Sequence, residues 1–78
     1  MKDWAQQIET AEAAAVHTQE AEHAAERRFD AVHARAQAAG AAQQALASPE
    51  FHEWMAARRA SDAAWGAWAV AMDAKPSA

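Results

Sequence analysis

The chain has 78 residues, no cysteine and a formal net charge of −4 at pH 7. A chain this short builds one small domain that buries a modest fraction of its surface, and without cysteine it has neither disulfides nor a zinc-finger spacing to reinforce it. No apolar run approaches the roughly 20 residues of a membrane span, and the N-terminal residues lack the apolar core of a signal peptide. We therefore expect a cytoplasmic protein in which oligomerisation supplies the missing burial.

The charge is distributed unevenly along the chain. Residues 27–47 carry three arginines against one aspartate, whereas residues 1–26, here called the acidic segment, carry six acids against the single Lys2, a net charge of −5. The six acids are Asp3, Glu9, Glu12, Glu20, Glu22 and Glu26. Binding to nucleic acid by counterion release needs clustered cations, and here the cations come in small groups. We therefore expect no direct nucleic-acid binding.

The first predicted element is a long helix over residues 3–47. This stretch contains no proline, and good helix formers dominate it. Steps of four and three along it reach thirteen positions, of which ten are apolar, and we call this row the seam. The seam comprises Trp4, Ile8, Ala11, Ala15, Thr18, Glu22, Ala25, Phe29, Val32, Ala36, Ala39, Gln43 and Leu46. Val16 is the one large apolar residue of this stretch that lies off the seam.

Two features leave the extent of this helix open. Thr18 and Glu22 interrupt the seam with polar groups, which could set the register, bend the helix, or break it near residues 17–20 to give three helices. Gly40 offers an earlier end, with residues 41–47 then forming the loop. The sequence therefore predicts one long helix, with a bend or break near its middle and an end near Gly40 as alternatives.

A second helix is predicted over residues 49–73. Ser48 can cap it, Pro49 suits the first helical position, and an acid follows in the first turn. The helix should end before Pro76, because the residue preceding a proline avoids the helical region, and residues 74–78 should be frayed. The predicted fold class is therefore all-α, a helical hairpin of one long Ala-rich helix and one shorter Trp-rich helix.

The two predicted helices differ in length. At a rise of about 1.5 Å per residue the first spans about 65 Å and the second about 37 Å, so a hairpin would leave about the first 15 to 20 residues unpaired. A single helix of that length is only marginally stable in water. We therefore expect a homodimeric coiled coil or four-helix bundle, or a complex with another protein.

Two carboxylate–histidine pairs suggest a metal site. Glu20 precedes His23, and Asp30 precedes His33, with the Glu-x-x-His type of spacing used in helical di-iron bundles. A metal-binding helical bundle is therefore a lesser alternative, although such sites need further glutamates and both histidines lie off the seam. We expect no cofactor. Candidate nucleophiles are few, which indicates a protein that is not an enzyme.

The tryptophans are the most unusual residues, and three of the four fall in the second helix. Trp54, Trp65 and Trp68 share one broad side of it, the Trp-rich face. These rings either fill the gaps left by the Ala-rich first helix or act as exposed anchors for another protein, since tryptophan is enriched among binding hot spots. Gly66 leaves a notch that a backbone could approach. The helix lacks the strongly basic face of a membrane-surface helix, so membrane binding is not expected.

The acidic segment is the other candidate surface. Its glutamates either form a solvated face or complement a basic surface of another protein, such as nucleic-acid-binding machinery. The predicted partner-binding residues are Glu9, Glu12, Glu20, Glu22, Glu26, Trp54, Trp65 and Trp68. We therefore expect a non-catalytic protein-interaction module whose partner is another protein. A purely structural, self-assembling helical protein is the alternative.

In size, acidity and helicity the chain is similar to small inhibitor proteins encoded by phages and mobile elements, including anti-CRISPR proteins. This likeness is one of composition, and it implies an inhibitor that binds a larger protein. The predicted architecture also resembles small helical-hairpin dimers that form four-helix bundles. That second likeness implies a fold and no particular function.

Overall fold

The computed structural model describes residues 3–76, which form two long helices joined by a short 3₁₀ helix. Helix α1 spans Trp4–Ala38, the 3₁₀ helix spans Ala42–Ala47, and helix α2 spans Pro49–Asp73. The described part of the chain is all-α and contains no strand, and α1 and α2 pack against each other as a hairpin. The molecule is a rod of 61 × 15 × 15 Å.

Helix α1 begins at a side-chain cap and continues without interruption. The Gln6 N–H donates to Oδ1 of Asp3 at 2.8 Å, which makes Asp3 the N-cap. The helix is continuous through residues 17–20, so the predicted alternative of a break there, giving three helices, is wrong. The hydroxyl of Thr18 donates to the carbonyl of Ala15 at 2.9 Å, and its polar group is therefore satisfied within its own helix.

The end of α1 differs from the main prediction, which extended this helix to residue 47. The helix ends at Ala38, close to the alternative end near Gly40. Gly40 has a φ of 71°, in the left-handed region. The N–H groups of Gly40 and of the next residue donate to the carbonyls of Gln37 and Ala36 at 3.0 and 2.8 Å. This pattern is a Schellman motif, which stops a helix where glycine can adopt a positive φ at little steric cost.

The early end of α1 removes the last three positions from the seam. Ala39 and Gln43 are exposed, and Leu46 is 53% exposed. Ala45 is buried instead, because the 3₁₀ helix has about three residues per turn and presents a different residue to the core. Every seam position as far as Ala36 is buried or half-buried, so the seam is confirmed along α1 itself.

Helix α2 begins at the predicted cap. The N–H of Phe51 donates to Oγ of Ser48 at 3.1 Å, and Pro49 is the first helical residue. The Ser48 hydroxyl in turn donates to the carbonyl of Ala45 at 2.6 Å, which ties the cap to the 3₁₀ helix. Of the predicted frayed tail, residues 74–76 are exposed and non-helical, and residues 77–78 lie outside the described residues.

The core between the helices is small. Among the described residues five side chains are buried, and none of the large ones is fully buried. The buried residues are Ala15, Ala25, Phe29, Ala45 and Ser61. The ring centroid of Phe29 lies 5.1 Å from that of Trp54 and 5.4 Å from that of Phe51. The hairpin is therefore held by α2 aromatic rings packed on an α1 whose buried residues are two alanines and Phe29.

The helices also pair at the open end of the hairpin. The indole N–H of Trp4 donates to the carbonyl of Ala71 at 2.7 Å. The prediction that the first 15 to 20 residues stay unpaired is therefore wrong. The reason is the early end of α1, whose 35 residues rise about 52 Å. The six residues of the 3₁₀ helix, about 12 Å, and the 25 residues of α2, about 37 Å, together cover nearly the same length.

Candidate partner-binding surface

A band of exposed side chains runs along α1 on the side away from α2. A helix turns about 100° per residue, so these positions share one face that lies about 180° from the seam. We call this face the acidic stripe, and it consists of Glu9, Glu12, Ala13, Val16, His17 and Glu20. All six residues are exposed. Because the hairpin has two helices, nothing in the described chain covers this face.

The acidic stripe lines a shallow depression with a volume of about 530 Å³. All the lining residues come from one helix, so the depression is open along its sides. A second depression of about 480 Å³ lies at the end of α1, and residues 40–44, which line it, carry no ionisable side chain. Small-molecule sites enclose most of their ligand. These two open surfaces suit contact with another macromolecule better.

The acidic stripe carries negative charge that no side chain of the described residues neutralises in an ion pair. None of its three glutamates forms an ion pair within residues 3–76, where Arg28 and Glu53 make the one ion pair at 3.9 Å. Glu9 and Glu12 lie about one turn apart, and like charges at this spacing repel each other. Val16, 41% exposed, adds an apolar side chain among the carboxylates. Such a surface is complementary to a basic surface with an apolar centre.

The other two predicted glutamates lie apart from the acidic stripe. Glu22 is a seam residue and is half-buried, and Glu26 is half-buried close to the seam. The five predicted glutamates therefore divide between two sides of α1. The number of these charges is visible in the sequence. The angle of each glutamate to the seam determines on which side of α1 it lies.

The predicted tryptophans of α2 are half-buried and take part in packing the hairpin. Trp54 stacks on Phe29 with nearly parallel rings, 26° apart. The indole N–H of Trp65 donates to Oε1 of Gln19 at 3.2 Å, and its ring centroid lies 5.5 Å from that of Trp68, edge to face. Nε1 of Trp54 and of Trp68 is buried without a hydrogen-bond partner in the described chain. These contacts are typical of rings that fill space between helices.

The predicted carboxylate–histidine pairs do not converge on one point. Within residues 3–76 no three His, Asp or Glu side chains form a group that could hold a metal ion. His23 is exposed, and His33 stacks on Phe29 with ring centroids 5.7 Å apart. A metal site in this fold would therefore need ligands from a second chain, and the metal hypothesis stays a prediction.

Sequence reasoning missed Ala13, Val16 and His17 as members of the surface. Val16 lies off the seam, and that same offset places it on the opposite face. A helical wheel drawn from the seam identifies all three residues, so the signal for them is present in the spacing.

No helix in the described chain contains a stretch that is both long enough and apolar enough to cross a membrane. Comparison with known proteins found no matching family model, no similar curated protein and no similar solved structure. The function of the surface is therefore argued from its geometry and charge.

Proposed function

We propose that the chain is a non-catalytic protein-interaction module that binds through the acidic stripe of α1. The observation that carries the proposal is the exposure of Glu9, Glu12 and Glu20 around Val16, on the face opposite the seam and without an ion pair to any other residue of 3–76. The complementary partner is a basic surface on a larger protein, such as a nucleic-acid-binding channel. A chain that occupies such a channel acts as an inhibitor. Complementary charge speeds the encounter and selects the partner.

The Trp-rich face supports this function by fixing the geometry of the hairpin. Trp54, Trp65 and Trp68 pack α2 against α1, and a rigid α1 presents its carboxylates in one arrangement. A preorganised surface loses less conformational entropy on binding. Each of the three rings is half-buried, so part of each is accessible to a partner that extends over the edge of the hairpin.

The test is charge reversal within the acidic stripe. The variant E9K/E12K/E20K should lose at least about tenfold in capture of partner proteins from a cell lysate, because attraction to a basic surface becomes repulsion. The captured proteins are identified by mass spectrometry, and competing duplex DNA should displace them from the wild-type chain. Circular dichroism verifies that helicity is preserved.

The matched control reverses three exposed acids elsewhere, in the variant D30K/E53K/D62K, with the same change in net charge. This control also removes the exposed Arg28–Glu53 ion pair, which contributes little to stability. It should capture the same proteins as the wild-type chain, because the acidic stripe is intact. Equal loss in both triple variants would show a general charge effect and contradict the proposal. Capture of no protein by the wild-type chain would contradict it as well.

We also infer that two copies of the chain associate, which makes structural self-assembly the second candidate. The chain exposes 5616 Å², whereas a compact monomer of its mass exposes about 4,600 Å². The excess of about 1,000 Å² is more than the about 800 Å² that each partner buries in a standard interface. A homodimeric four-helix assembly would bury this excess.

A further inference from the structure

Helix α2 presents a second row of side chains on the side away from α1. Steps of four and three from Ala56 reach exposed residues only, and we call this row the alanine stripe. The alanine stripe consists of Ala56, Ala60, Ala63, Ala67 and Val70. Val70 is 71% exposed, the most of any large apolar side chain in the described chain. The row therefore has the spacing of a helix–helix contact and has no covering helix within the hairpin.

Gly66 lies at the edge of the alanine stripe, inside α2. Glycine in a helix interior is less favourable than alanine. A Cβ built at Gly66 would meet no atom within 4 Å, so the hairpin itself gives no reason for the glycine. Packing against a helix of another chain would explain the glycine, because a position without a side chain lets two helix backbones come close.

The charges beside the alanine stripe favour one orientation of a second copy. His52, Arg59, Gly66 and Asp73 are spaced seven apart, so they form one flank of the stripe, and all are exposed. In an antiparallel pair of α2 helices, His52 of one copy faces Asp73 of the other, and Arg59 faces the notch at Gly66. In a parallel pair this flank would instead face the opposite flank of the second helix, at Ala57, Ala64 and Ala71, and Asp73 would have no basic partner.

We propose that the alanine stripe is a homodimer interface, on which α2 of a second copy packs antiparallel. This proposal rests on the self-association inferred above and names its surface. The two-fold axis lies between Ala60 and Ala63. Ala60 of one copy therefore contacts Ala63 of the other, and Ala56 of one copy contacts Ala67 of the other. Such an interface is self-complementary, since residue i contacts j wherever j contacts i. The acidic stripe of α1 lies outside it and stays free.

The experiment measures molar mass by light scattering over a concentration series for four chains. The wild-type chain should be a dimer. The variant A60E/A63E should be a monomer, with the dissociation constant raised at least about a hundredfold, because four new carboxylates meet at the axis. The variant A60E/A63K should stay a dimer, because the antiparallel register places each new glutamate opposite a new lysine.

The fourth chain, A31E/A34E, is the matched control, with the same substitutions at the same spacing on exposed positions of α1. It should stay a dimer, and circular dichroism with Trp fluorescence verifies folding of all four chains. If A60E/A63E is a dimer, the alanine stripe is not the interface, although self-association still holds. If the wild-type chain is a monomer, both the interface and self-association are wrong. A monomeric A60E/A63K beside a dimeric wild-type chain would overturn the antiparallel orientation. The acidic stripe is intact in all four chains, so these results test the interface and not the binding function proposed for the stripe.

Discussion

The two glycines of the chain occupy backbone positions with opposite requirements. Gly40 has a φ of 71° and closes α1, in a conformation that an L side chain rarely adopts. Gly66 lies within α2, where an added Cβ meets open space. The same substitution should therefore change stability in opposite directions at the two sites.

We expect Gly66→Ala to raise the free energy of unfolding by about 1 kcal/mol, because alanine favours the helix interior. Gly40→Ala should lower it by about 1–2 kcal/mol, because alanine is strained at this φ. Urea unfolding followed by Trp fluorescence measures both changes. Gly66→Ala is measured in the A60E/A63E variant, which is expected to be monomeric. A loss of dimer contacts at Gly66 then cannot mask the expected rise in the free energy of unfolding. A shift of the same sign in both variants would refute this assignment.

At the scale of the helical element, Ser48 is the residue that starts α2. Its Oγ accepts the N–H of Phe51, and its hydroxyl donates to Ala45, so one side chain joins two elements. The hydroxyl of Thr10, by contrast, donates to the carbonyl of Gln6 at 3.0 Å within an exposed part of α1. A hydroxyl bonded in this way adds little to a helix.

Ser48→Ala should therefore lower the free energy of unfolding by about 1 kcal/mol, the usual cost of losing an N-cap. Thr10→Ala removes the matched hydroxyl and should leave stability within about 0.5 kcal/mol. Chemical denaturation measures both variants. An equal loss in the two would mean that the hydroxyl of Ser48 does not act as a cap.

The elements that the sequence predicted well depend on local chemistry. Ser48 and Pro49 start a helix by rules that act within one turn, and the seam from Trp4 to Ala36 follows from the helical repeat. The end of α1 was harder to predict, because a glycine inside a helix costs only about 1 kcal/mol and the apolar pattern continues to Leu46. The Schellman hydrogen bonds at Gly40 decide the end, and they appear only in the folded chain.

The candidate site was predicted in part, for a related reason. The charge of Glu9, Glu12 and Glu20 and their angle to the seam are visible in the sequence, whereas the packing of the hairpin is needed to show that no other described element covers them. The role of Trp54 also depends on tertiary packing against α1. A single sequence shows which residues share a helix face, and the partner helix determines which face is covered.

At the scale of the whole molecule, the open end of the hairpin is held by Trp4. Its indole donates to the carbonyl of Ala71, and Nζ of Lys75 lies 5.8 Å from the ring centroid. Trp65 makes the comparable hydrogen bond to Gln19 farther along the rod. The two indoles therefore join the helices at different distances from the open end.

Trp4→Phe should lower the free energy of unfolding by about 1 kcal/mol, since it keeps an aromatic ring and deletes the hydrogen bond. Hydrogen exchange should accelerate in the first turns of α1 and the last turns of α2, and should be unchanged beside the 3₁₀ helix. Trp65→Phe is the matched variant, and its acceleration should be centred near Gln19. Uniform acceleration along the rod in both variants would contradict local opening.

The proposed dimer also changes how the acidic stripe functions. With α2 helices at the centre, the two α1 helices lie outside and each presents one stripe. A partner with two basic sites at matching distance would bind both, and the second contact benefits from a high effective concentration. Dimerisation would then strengthen the proposed binding to such a partner.

The geometry of the hairpin also determines the order in which its interhelical contacts would break under force. Residues near both ends of the described chain meet at one end of a 61 Å rod, through Trp4 and Ala71. A force applied through residues 3 and 76 would therefore load the interhelical contacts one after another, starting at this pair, and unzip the molecule instead of shearing it. The aromatic cluster of Phe29, Phe51 and Trp54 lies toward the turn and would open last.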